Sequence, residues 1–301
     1  MKNSLSIWLK AFRLRTLPLA FSSTFLGSFL AYANGRFYWT VFAFATLTTL
    51  SLQILSNLAN DYGDAKKGAD NSKRVGPLRV TQTGLVTPGA MLRMIAAFIL
   101  LSLLSGSLLI YFGLRDLPAY LSVFFFILGV TAIFAAVKYT VGRNPYGYIG
   151  LGDVFVYVYF GLIGVCGTFY LHTGTLDPWV LLPASTIGLF SAGVLNLNNI
   201  RDAENDANCG KNTLVVRIGV KAAKKYHLLL VVFAILLSMA YTLIFFTSPV
   251  QLIFLVTLPF LIRDVIIVLR TTIPAELNKE LKKLAITTFV FSTTFGLGLV
   301  L

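Results

Sequence analysis

Long apolar stretches alternate with shorter polar connections along the whole chain. Nine stretches of about 20 predominantly apolar residues fit without overlap, at about 17–34, 38–58, 90–112, 117–138, 150–171, 178–198, 227–247, 249–269 and 283–301. A helix needs about 20 such residues to cross a bilayer. Spanning helices satisfy their own backbone hydrogen bonds in lipid. The pattern therefore predicts an all-α membrane protein with nine transmembrane helices.

The composition excludes a soluble globular protein. Of the 301 residues, 56% are hydrophobic and only 12% are charged. Soluble domains carry about 25% charged residues, so this chain lacks the polar surface to cover such a fold. We expect residues 1–301 to form a single transmembrane domain.

Basic residues set the predicted orientation. The formal net charge is +13, from 25 Lys and Arg against 12 Asp and Glu. With the N-terminus placed inside, 23 of the 25 basic residues lie on or near the inner side. Because basic residues accumulate in cytoplasmic loops, we expect a cytoplasmic N-terminus and a multi-pass protein of the bacterial cytoplasmic (inner) membrane. Anionic lipid then explains the charge without a nucleic-acid partner.

The sequence offers little for thiolate or zinc chemistry. Its only cysteines are Cys166 and Cys209, and its only histidines, His172 and His227, lie in unrelated segments. We therefore expect neither a disulfide framework nor a tetrahedral zinc site. Arg263 and Asp264 are adjacent in the eighth apolar stretch and are interpreted as a snorkelling or mutually compensating pair.

An amphipathic segment precedes the first apolar stretch. Its apolar residues share one helical face: Leu5, Trp8, Leu9 and Phe12. Basic residues lie beside them, as is typical of a helix that lies along the membrane surface.

Two polar connections, 59–89 and 199–226, hold half of the acidic residues. These are Asp61, Asp64 and Asp70 in the first connection and Asp202, Glu204 and Asp206 in the second. Crowded carboxylates repel one another unless a cation holds them ionised. Hard oxygen ligands suit Mg²⁺, which commonly bridges carboxylates to substrate phosphates. The alternative is that these acids only balance the basic loops.

The spacing of the acids favours one shared site. Asn60 and Asp64 are four residues apart, as are Asn198, Asp202 and Asp206, so each set shares a helical face if the flanking helix continues. An offset of 138 residues superimposes the two N-x-x-x-D patterns and predicts two half-sites that face each other. Asp206 has no counterpart at this offset, and Asp70 is the nearest acid that could take that place. The polar stripe extends into the apolar region through Gln53 and Asn57, as candidate lining of a substrate cavity.

Basic side chains near both acidic segments indicate an anionic ligand. The candidates are Lys66, Arg74, Arg79 and Lys211. Magnesium held between carboxylates with Lys and Arg close by suits a polyanion such as diphosphate. Neither connection contains a P-loop motif, so a nucleotide site of that kind is not supported.

A third inner connection is rich in aromatic residues. It contains Tyr139, Tyr146 and Tyr148 and leads into Asp153, which enters the fifth apolar stretch. Asp153 is either an acid favoured by the start of a helix or a carboxylate that contacts substrate in an aromatic-lined pocket. A tyrosine can donate a hydrogen bond to a departing oxygen, which makes Tyr139 a catalytic candidate.

Taken together, these segments resemble the UbiA superfamily of intramembrane aromatic prenyltransferases, and within it the menaquinone-pathway branch. The resemblance rests on NDYGD at 60–64 with the KGAD and GPLR that follow, on NPYGYIGLGD at 144–153, and on NNIRDAENDANCGKNTLVVRIG at 198–219. It covers nearly the whole chain. This chain departs from the general superfamily pattern at two positions. It has Gly68 where the pattern has a third acid, and Asp70 is the usual substitute in this branch. It has Arg143 where the pattern has Lys.

The resemblance implies a fold and a reaction. It implies nine helices around a central cavity that opens to lipid and is capped on the cytoplasmic side by both acidic motifs. A polyprenyl diphosphate is expected to bind through Mg²⁺ to Asp64, Asp202 and Asp206, with Asn60, Asp61, Asn198 and Asp70 in support. Arg143 is expected to join the diphosphate site, and Tyr146 and Tyr148 are expected to line the cavity.

The acceptor implied by the resemblance is 1,4-dihydroxy-2-naphthoate. Its ring carbon is expected to attack the allylic carbon, with loss of diphosphate and CO₂, giving demethylmenaquinol. Asp153 or a carboxylate of the first motif is a candidate to assist deprotonation of the acceptor. No obligate protein partner is evident. The alternatives are another aromatic acceptor such as a hydroxybenzoate and, outside the family, a cation-coupled transporter.

Overall fold

The computed structural model describes residues 4–71 and 74–301 of the chain. These residues contain no β-strand, and nine of their helices are long and apolar enough to cross a membrane. The prediction of an all-α protein with nine transmembrane helices is confirmed.

Eleven helices follow one another along the described chain. They are α1 (Ser4–Phe12), α2 (Leu17–Ala33), α3 (Trp39–Lys66), α4 (Pro88–Leu114), α5 (Ala119–Lys138), α6 (Gly152–Thr173), α7 (Pro178–Asn208), α8 (Leu214–Ile218), α9 (Val220–Ile244), α10 (Pro249–Arg270) and α11 (Pro274–Val300). Helices α1 and α8 are short, and the other nine are the membrane helices. The predicted surface segment thus forms a helix of its own, α1, which is separated from α2 by the short 3-10 turn Leu14–Thr16.

Helix α7 is the most enclosed of the membrane helices. It packs against α6, α9 and α11, while α3 packs against α4, α5 and α2. Helix α5 lies at the periphery, and Ala135 is the one residue of this helix that is buried. An apolar exposed surface suits contact with lipid tails. Helix α7 carries more of the buried polar residues than any other described helix.

Helix α6 contains a π-helical segment, Tyr157–Cys166. Gly161 lies where a Cβ atom would come within 2.7 Å of the Ala184 carbonyl oxygen and of Gly188 Cα on α7, so the two backbones pack directly against each other. The Ser23 hydroxyl on α2 donates a hydrogen bond to the Phe160 carbonyl oxygen at 2.5 Å. Small residues and this bond hold the π-helical segment against both neighbours.

The acidic connections begin later than the sequence suggested. Helix α3 continues to Lys66 and α7 to Asn208, so most of the acids expected in loops lie on the last turns of helices. The predicted connection 199–226 also contains α8 and the first turns of α9. The boundaries at 59 and 199 were therefore wrong, because polar residues interrupt the apolar pattern without ending the helix.

Asp264 pairs differently from the expectation. Its Oδ2 atom lies 2.8 Å from Nε2 of His227 on α9, and both side chains are buried. Arg263 is exposed. The buried carboxylate therefore bonds across to a neighbouring helix, and the idea of a compensating Arg263–Asp264 pair was wrong.

Candidate active site

The two acidic helices end in the same way. In α3, the amides of Gly68 and Ala69 donate hydrogen bonds to the carbonyl oxygens of Ala65 and Asp64, at 3.2 and 2.9 Å. In α7, the amides of Gly210 and Lys211 donate to Ala207 and Asp206 at 3.2 and 2.8 Å. Both glycines have left-handed φ values of about +70°. This is the Schellman ending, and it makes Asp64 and Asp206 equivalent positions of the two helices.

The two helix ends contact each other. The Asn205 side-chain amide donates to the Ala69 carbonyl oxygen at 2.9 Å, and the Cys209 thiol lies 3.5 Å from the Gly68 carbonyl oxygen. Lys211 Nζ lies 3.8 Å from Asp64 Oδ2 and 3.6 Å from Asp206 Oδ1. Residues almost 140 positions apart in sequence therefore form one cluster, as the shared-site interpretation requires.

Arg79 lies at the centre of the first acidic group. Its Nη1 atom lies 2.8 Å from Asp64 Oδ2 and 3.0 Å from Asp70 Oδ2, and its Nε atom lies 3.5 Å from Asp61 Oδ1. It also donates to the Asn60 carbonyl oxygen at 2.8 Å. Burial alone would lower the pKa of Arg79, but the three carboxylates raise it. The guanidinium is therefore held charged among them.

Two arginines contact Asp202 in the second acidic group. Arg201 Nε donates to Asp202 Oδ1 at 3.1 Å, and Arg201 Nη2 donates to Oδ2 at 2.5 Å. Arg74 lies between the groups, with its Nη2 atom 3.7 Å from Asp202 Oδ2 and its Nε atom 3.6 Å from Asp70 Oδ1. Arg74 and Lys211 thus connect the carboxylates of α7 to the carboxylates of the first acidic group.

Charges within the cluster balance. Five acidic side chains pair with five basic ones: Asp61, Asp64, Asp70, Asp202 and Asp206 with Arg13, Arg74, Arg79, Arg201 and Lys211. Buried carboxylates stay ionised when opposite charges lie this close. A polyanion that enters together with divalent cations can exchange with these pairs while the net charge of the cluster stays balanced.

The oxygen atoms present suit a hard divalent cation. Among the described residues, no three acidic, histidine or cysteine side chains converge as a cage for a metal ion; basic side chains lie between them. Three buried carboxylate oxygens of the cluster nevertheless accept no well-directed hydrogen bond from the described part of the chain: Asp206 Oδ2 and both oxygens of Asp70, which form ion pairs with Arg74 and Arg79. Such unsatisfied anionic oxygens are the ligands that Mg²⁺ prefers.

Tyrosines of the third connection border the cluster. The Tyr148 hydroxyl donates to Asp64 Oδ1 at 2.8 Å, and Lys67 and Lys211 lie over its ring, at 5.0 and 5.5 Å from the centroid. Burial, followed by the nearby Asp64 carboxylate, raises the pKa of both Tyr148 and Tyr139. Both phenols thus stay protonated and can donate hydrogen bonds. Tyr148 belongs to the carboxylate cluster, although the sequence placed it with the cavity lining.

Asp153 is buried near the cluster. The residue is 6% exposed, and its Oδ1 atom has no hydrogen-bond partner among the described residues. Burial raises the pKa of Tyr139, and the carboxylates of Asp64, Asp153 and Asp206 raise it further, so this phenol lies near all three acids. Asp153 also lies in the first turn of α6, so both of its interpretations, a helix-start acid and a carboxylate that contacts substrate, stay predictions.

Some predicted residues lie apart from the cluster. Lys66 and Arg143 are exposed, and neither forms an ion pair with a described residue. Asn57 donates to the Phe12 carbonyl oxygen and to Thr16 Oγ1, while the Tyr146 hydroxyl donates to the Ala135 carbonyl oxygen. The Asn57 and Tyr146 side chains thus fix the backbone around the site.

Asparagines at the head of each N-x-x-x-D pattern already bond to neighbours. Asn60 Oδ1 accepts a hydrogen bond from Thr140 Oγ1 at 3.3 Å, and Asn198 Oδ1 accepts one from Arg201 Nη2 at 2.7 Å. Gln53 Nε2 donates to Asn57 Oδ1 at 3.3 Å, and Gln53 Oε1 is buried without a partner among the described residues. The predicted roles of Asn60 and Asn198 toward a metal, and of Gln53 toward a substrate, stay predictions.

Sequence reasoning missed three polar residues of this region. Arg13 pairs with Asp61 from a left-handed backbone conformation with φ of 51°. The Asn57 side chain fixes this turn, because it donates hydrogen bonds to Phe12 before Arg13 and to Thr16 after it. Arg201 was overlooked, although it is adjacent to Asp202. Asn278, which accepts a hydrogen bond from Arg201 Nη1 at 3.0 Å, comes from α11. Only the position of Arg201 beside an acidic motif could have revealed one of them.

We expect Mg²⁺ to stabilise the protein more at pH 7.5 than at pH 5. Burial raises the pKa of Asp70 to about 6, despite the opposing Arg79 charge, whereas an unfolded chain has about 3.9. The proton on Asp70 therefore stabilises the fold at low pH, and this contribution is lost as the pH rises through about 6. Mg²⁺ competes with that proton for the carboxylate.

Thermal unfolding with and without Mg²⁺ at both pH values measures this effect. Asp70→Asn should remove most of the pH dependence of the Mg²⁺-induced shift in Tm. An equal shift at both pH values in the unsubstituted protein would contradict the prediction.

The chain is similar in sequence to prenyltransferases of one family. The family model described as UbiA prenyltransferase family matches residues 20–292. A 1,4-dihydroxy-2-naphthoate octaprenyltransferase of Haemophilus influenzae is 42% identical over 306 residues, which cover 100% of this chain and 98% of that protein. The protein of the same name from Escherichia coli K12 is 41% identical, over 98% of this chain and 95% of the relative.

Solved structures share the fold. The apo structure of a UbiA homolog from Aeropyrum pernix K1 superposes with a TM-score of 0.69 at 17% identity, covering 95% of this chain and 97% of that one. A UbiA homolog from Archaeoglobus fulgidus, bound to DMAPP and Mg²⁺, gives a TM-score of 0.60 at 17% identity, with coverages of 98% and 99%. At this identity the likeness concerns the fold.

Proposed function

This chain belongs to the UbiA prenyltransferase family, and from that premise we propose that it transfers a polyprenyl group from polyprenyl diphosphate to 1,4-dihydroxy-2-naphthoate. The observation that carries the proposal is the identity of 41–42% to two 1,4-dihydroxy-2-naphthoate octaprenyltransferases over nearly the full length of each. The products are demethylmenaquinol, CO₂ and diphosphate. We place the reaction at the cytoplasmic face of a bacterial inner membrane, within the membrane domain 1–301.

The oxygen ligands of the cluster fit Mg²⁺, as the unsatisfied carboxylate oxygens indicate. Asp64, Asp70, Asp202 and Asp206 would hold it, with Asp61, Asn60 and Asn198 adjacent. When bound, Mg²⁺ neutralises the negative charge that develops on the departing diphosphate. A relative of the same fold from A. fulgidus was solved with DMAPP and Mg²⁺, which supports this part of the proposal.

Basic side chains of the cluster receive the diphosphate. Arg74, Arg79 and Lys211 lie between the carboxylates, and each is buried within the cluster. Their N–H groups, which now face carboxylate oxygens, can donate to the oxygens of a bound diphosphate without first becoming exposed to bulk solvent. Lys66 and Arg143 are exposed and would contribute to attraction of the polyanion.

The acceptor side of the site is formed by Tyr139, Asp153 and the aromatic side chains near them. The Tyr146 ring stacks on Phe155 at 4.0 Å and meets the Tyr139 ring edge-on at 5.3 Å. Aromatic faces stabilise positive charge at an allylic carbon. In the reaction, the C–O bond to diphosphate breaks, a bond forms to the naphthoate ring carbon, and the carboxyl group leaves as CO₂. In this proposal Asp153 assists deprotonation of an acceptor hydroxyl, and its burial near Tyr139 supports that role.

The test is a choice between acceptors. The purified protein in lipid nanodiscs is given one radiolabelled polyprenyl diphosphate with Mg²⁺ and either 1,4-dihydroxy-2-naphthoate or 4-hydroxybenzoate. We expect lipid-soluble product and stoichiometric CO₂ with the naphthoate, and at least about 100-fold less product with the benzoate. Equal use of both acceptors would overturn the assignment of the acceptor. No product with either, together with cation-driven uptake into liposomes, would favour a transporter.

A further inference from the structure

Arg201 is bonded more completely than any other base in the cluster. Its buried guanidinium donates to both carboxylate oxygens of Asp202, to Asn198 Oδ1 at 2.7 Å and to Asn278 Oδ1 at 3.0 Å. Every nitrogen of the fork thus has an acceptor. A guanidinium bonded in this way fixes the orientation of the carboxylate beside it.

Asn278 extends this network to a third part of the chain. It lies in the first turns of α11, the last membrane helix, far in sequence from both acidic motifs. Its side-chain amide donates to the Val75 carbonyl oxygen at 3.4 Å. One amide group therefore joins Arg201 on α7 to the segment 74–79, which we call the arginine strap because Arg74 and Arg79 are its ends.

The arginine strap lies directly against the guanidinium groups. A Cβ atom on Gly76 would come within 2.5 Å of Arg74 Nη2 and 2.8 Å of Arg201 Nη2. Arg74 Nη1 donates to the Pro77 carbonyl oxygen at 2.8 Å, which curls the strap around its own first residue. The absence of a side chain at position 76 lets the backbone approach both arginines closely.

We propose that Arg201 and Asn278 act together as positioning residues, holding Asp202 and the arginine strap in the geometry that receives magnesium and diphosphate. Neither residue has to touch the allylic carbon. Arg201 orients Asp202 from beside it, and Asn278 links Arg201 to the strap that presents Arg74 and Arg79. The proposal rests on the proposed function for its ligand, a diphosphate that arrives with divalent cations.

A double-mutant cycle tests whether the two residues act as one unit. The variants are Arg201→Lys, which keeps the charge and loses the fork, Asn278→Ala, and the two combined. Asn208→Ala is the matched control, because Asn208 is exposed and its side chain has no hydrogen bond with a described residue. Binding of inorganic diphosphate in the presence of Mg²⁺ is measured by calorimetry, and kcat and KM for polyprenyl diphosphate are measured alongside.

We expect Asn278→Ala to weaken binding of magnesium diphosphate by about tenfold, the effect of one lost hydrogen bond to a charged group. KM should rise correspondingly, and Asn208→Ala should match the unsubstituted protein. The double variant should bind within about twofold of Arg201→Lys alone, because the second change removes a bond that is already lost.

Gly76→Ala supplies an independent test of the strap. Its methyl group should displace the guanidinium of Arg74 or Arg201 and weaken binding of magnesium diphosphate, although neither positioning residue is itself substituted. Unchanged binding in Asn278→Ala, or multiplied effects in the double variant, would overturn the proposal. Because binding is measured without acceptor, a failure of the proposed naphthoate reaction is seen separately.

Discussion

Asp202→Asn and Asp64→Asn should each lower turnover by about two to three orders of magnitude while the protein stays folded. Each substitution removes one negative charge from a cluster in which acids and bases balance, so the remaining bases outnumber the acids. The lost oxygen charge is among those expected to hold the divalent cation. Removing one preorganised electrostatic group from an enzyme site typically costs a factor of 10²–10³.

Glu204→Gln is the matched control for these variants. Glu204 lies on the same turn of α7 between Asp202 and Asp206, but it is exposed and forms no ion pair with a described residue. Product formation is measured at saturating Mg²⁺, with thermal unfolding to verify folding. Turnover of Asp202→Asn at the level of Glu204→Gln would remove Asp202 from the reaction.

Arg79→Gln should destabilise the protein by about 3–5 kcal/mol in the absence of Mg²⁺. Arg79 is 8% exposed and contacts three buried carboxylates. Breaking a buried ion pair from one side leaves uncompensated charge, which is the costly case. Because a divalent cation can replace the lost charge, Mg²⁺ should restore a larger part of the unfolding free energy in Arg79→Gln than it adds to the unsubstituted protein.

Arg143→Gln controls for loss of a positive charge, since Arg143 is exposed and lies apart from the cluster. Unfolding in denaturant, with and without Mg²⁺, measures all three proteins. If Arg79→Gln and Arg143→Gln unfold alike, Arg79 does not compensate the carboxylates.

The membrane fold could be predicted because the bilayer imposes a length. About 20 apolar residues are needed for each crossing, and each of the nine stretches overlaps a membrane helix. The ends of the helices could not be read from the same pattern. Helix α3 continues for two more turns beyond residue 58, through residues that are polar because they face a buried cluster.

The convergence of the two acidic segments could be predicted from the sequence, but the helix endings align the segments differently from the letter patterns. Matching the two N-x-x-x-D patterns gave an offset of 138, which left Asp206 without a counterpart. The helix endings instead align Asp64 with Asp206 and Asn60 with Asp202, an offset of 142 that follows from the two Schellman glycines. A repeated letter pattern does not show where a helix stops, whereas Gly68 and Gly210 each follow the matching acid by four residues.

The partners of the acids could not be predicted from local sequence. Arg13 reaches Asp61 only because a left-handed turn follows α1, and Asn278 reaches Arg201 only because α11 packs beside α7. Such contacts depend on tertiary packing between segments far apart in the chain, and neither residue lies in an acidic segment.

The π-helical segment of α6 limits how this membrane helix can change in length. One residue added to or removed from an α-helix rotates everything beyond it by about 100°. Deletion of one residue between Tyr157 and Cys166 would therefore swing Asp153 away from Tyr139 unless the helix absorbed the change by reverting to regular α-helical winding. Insertions and deletions here would change the direction of Asp153 relative to Tyr139, whereas substitutions on the lipid-facing surface would not. Homologous chains should therefore conserve the number of residues in this stretch more strictly than the identity of those residues.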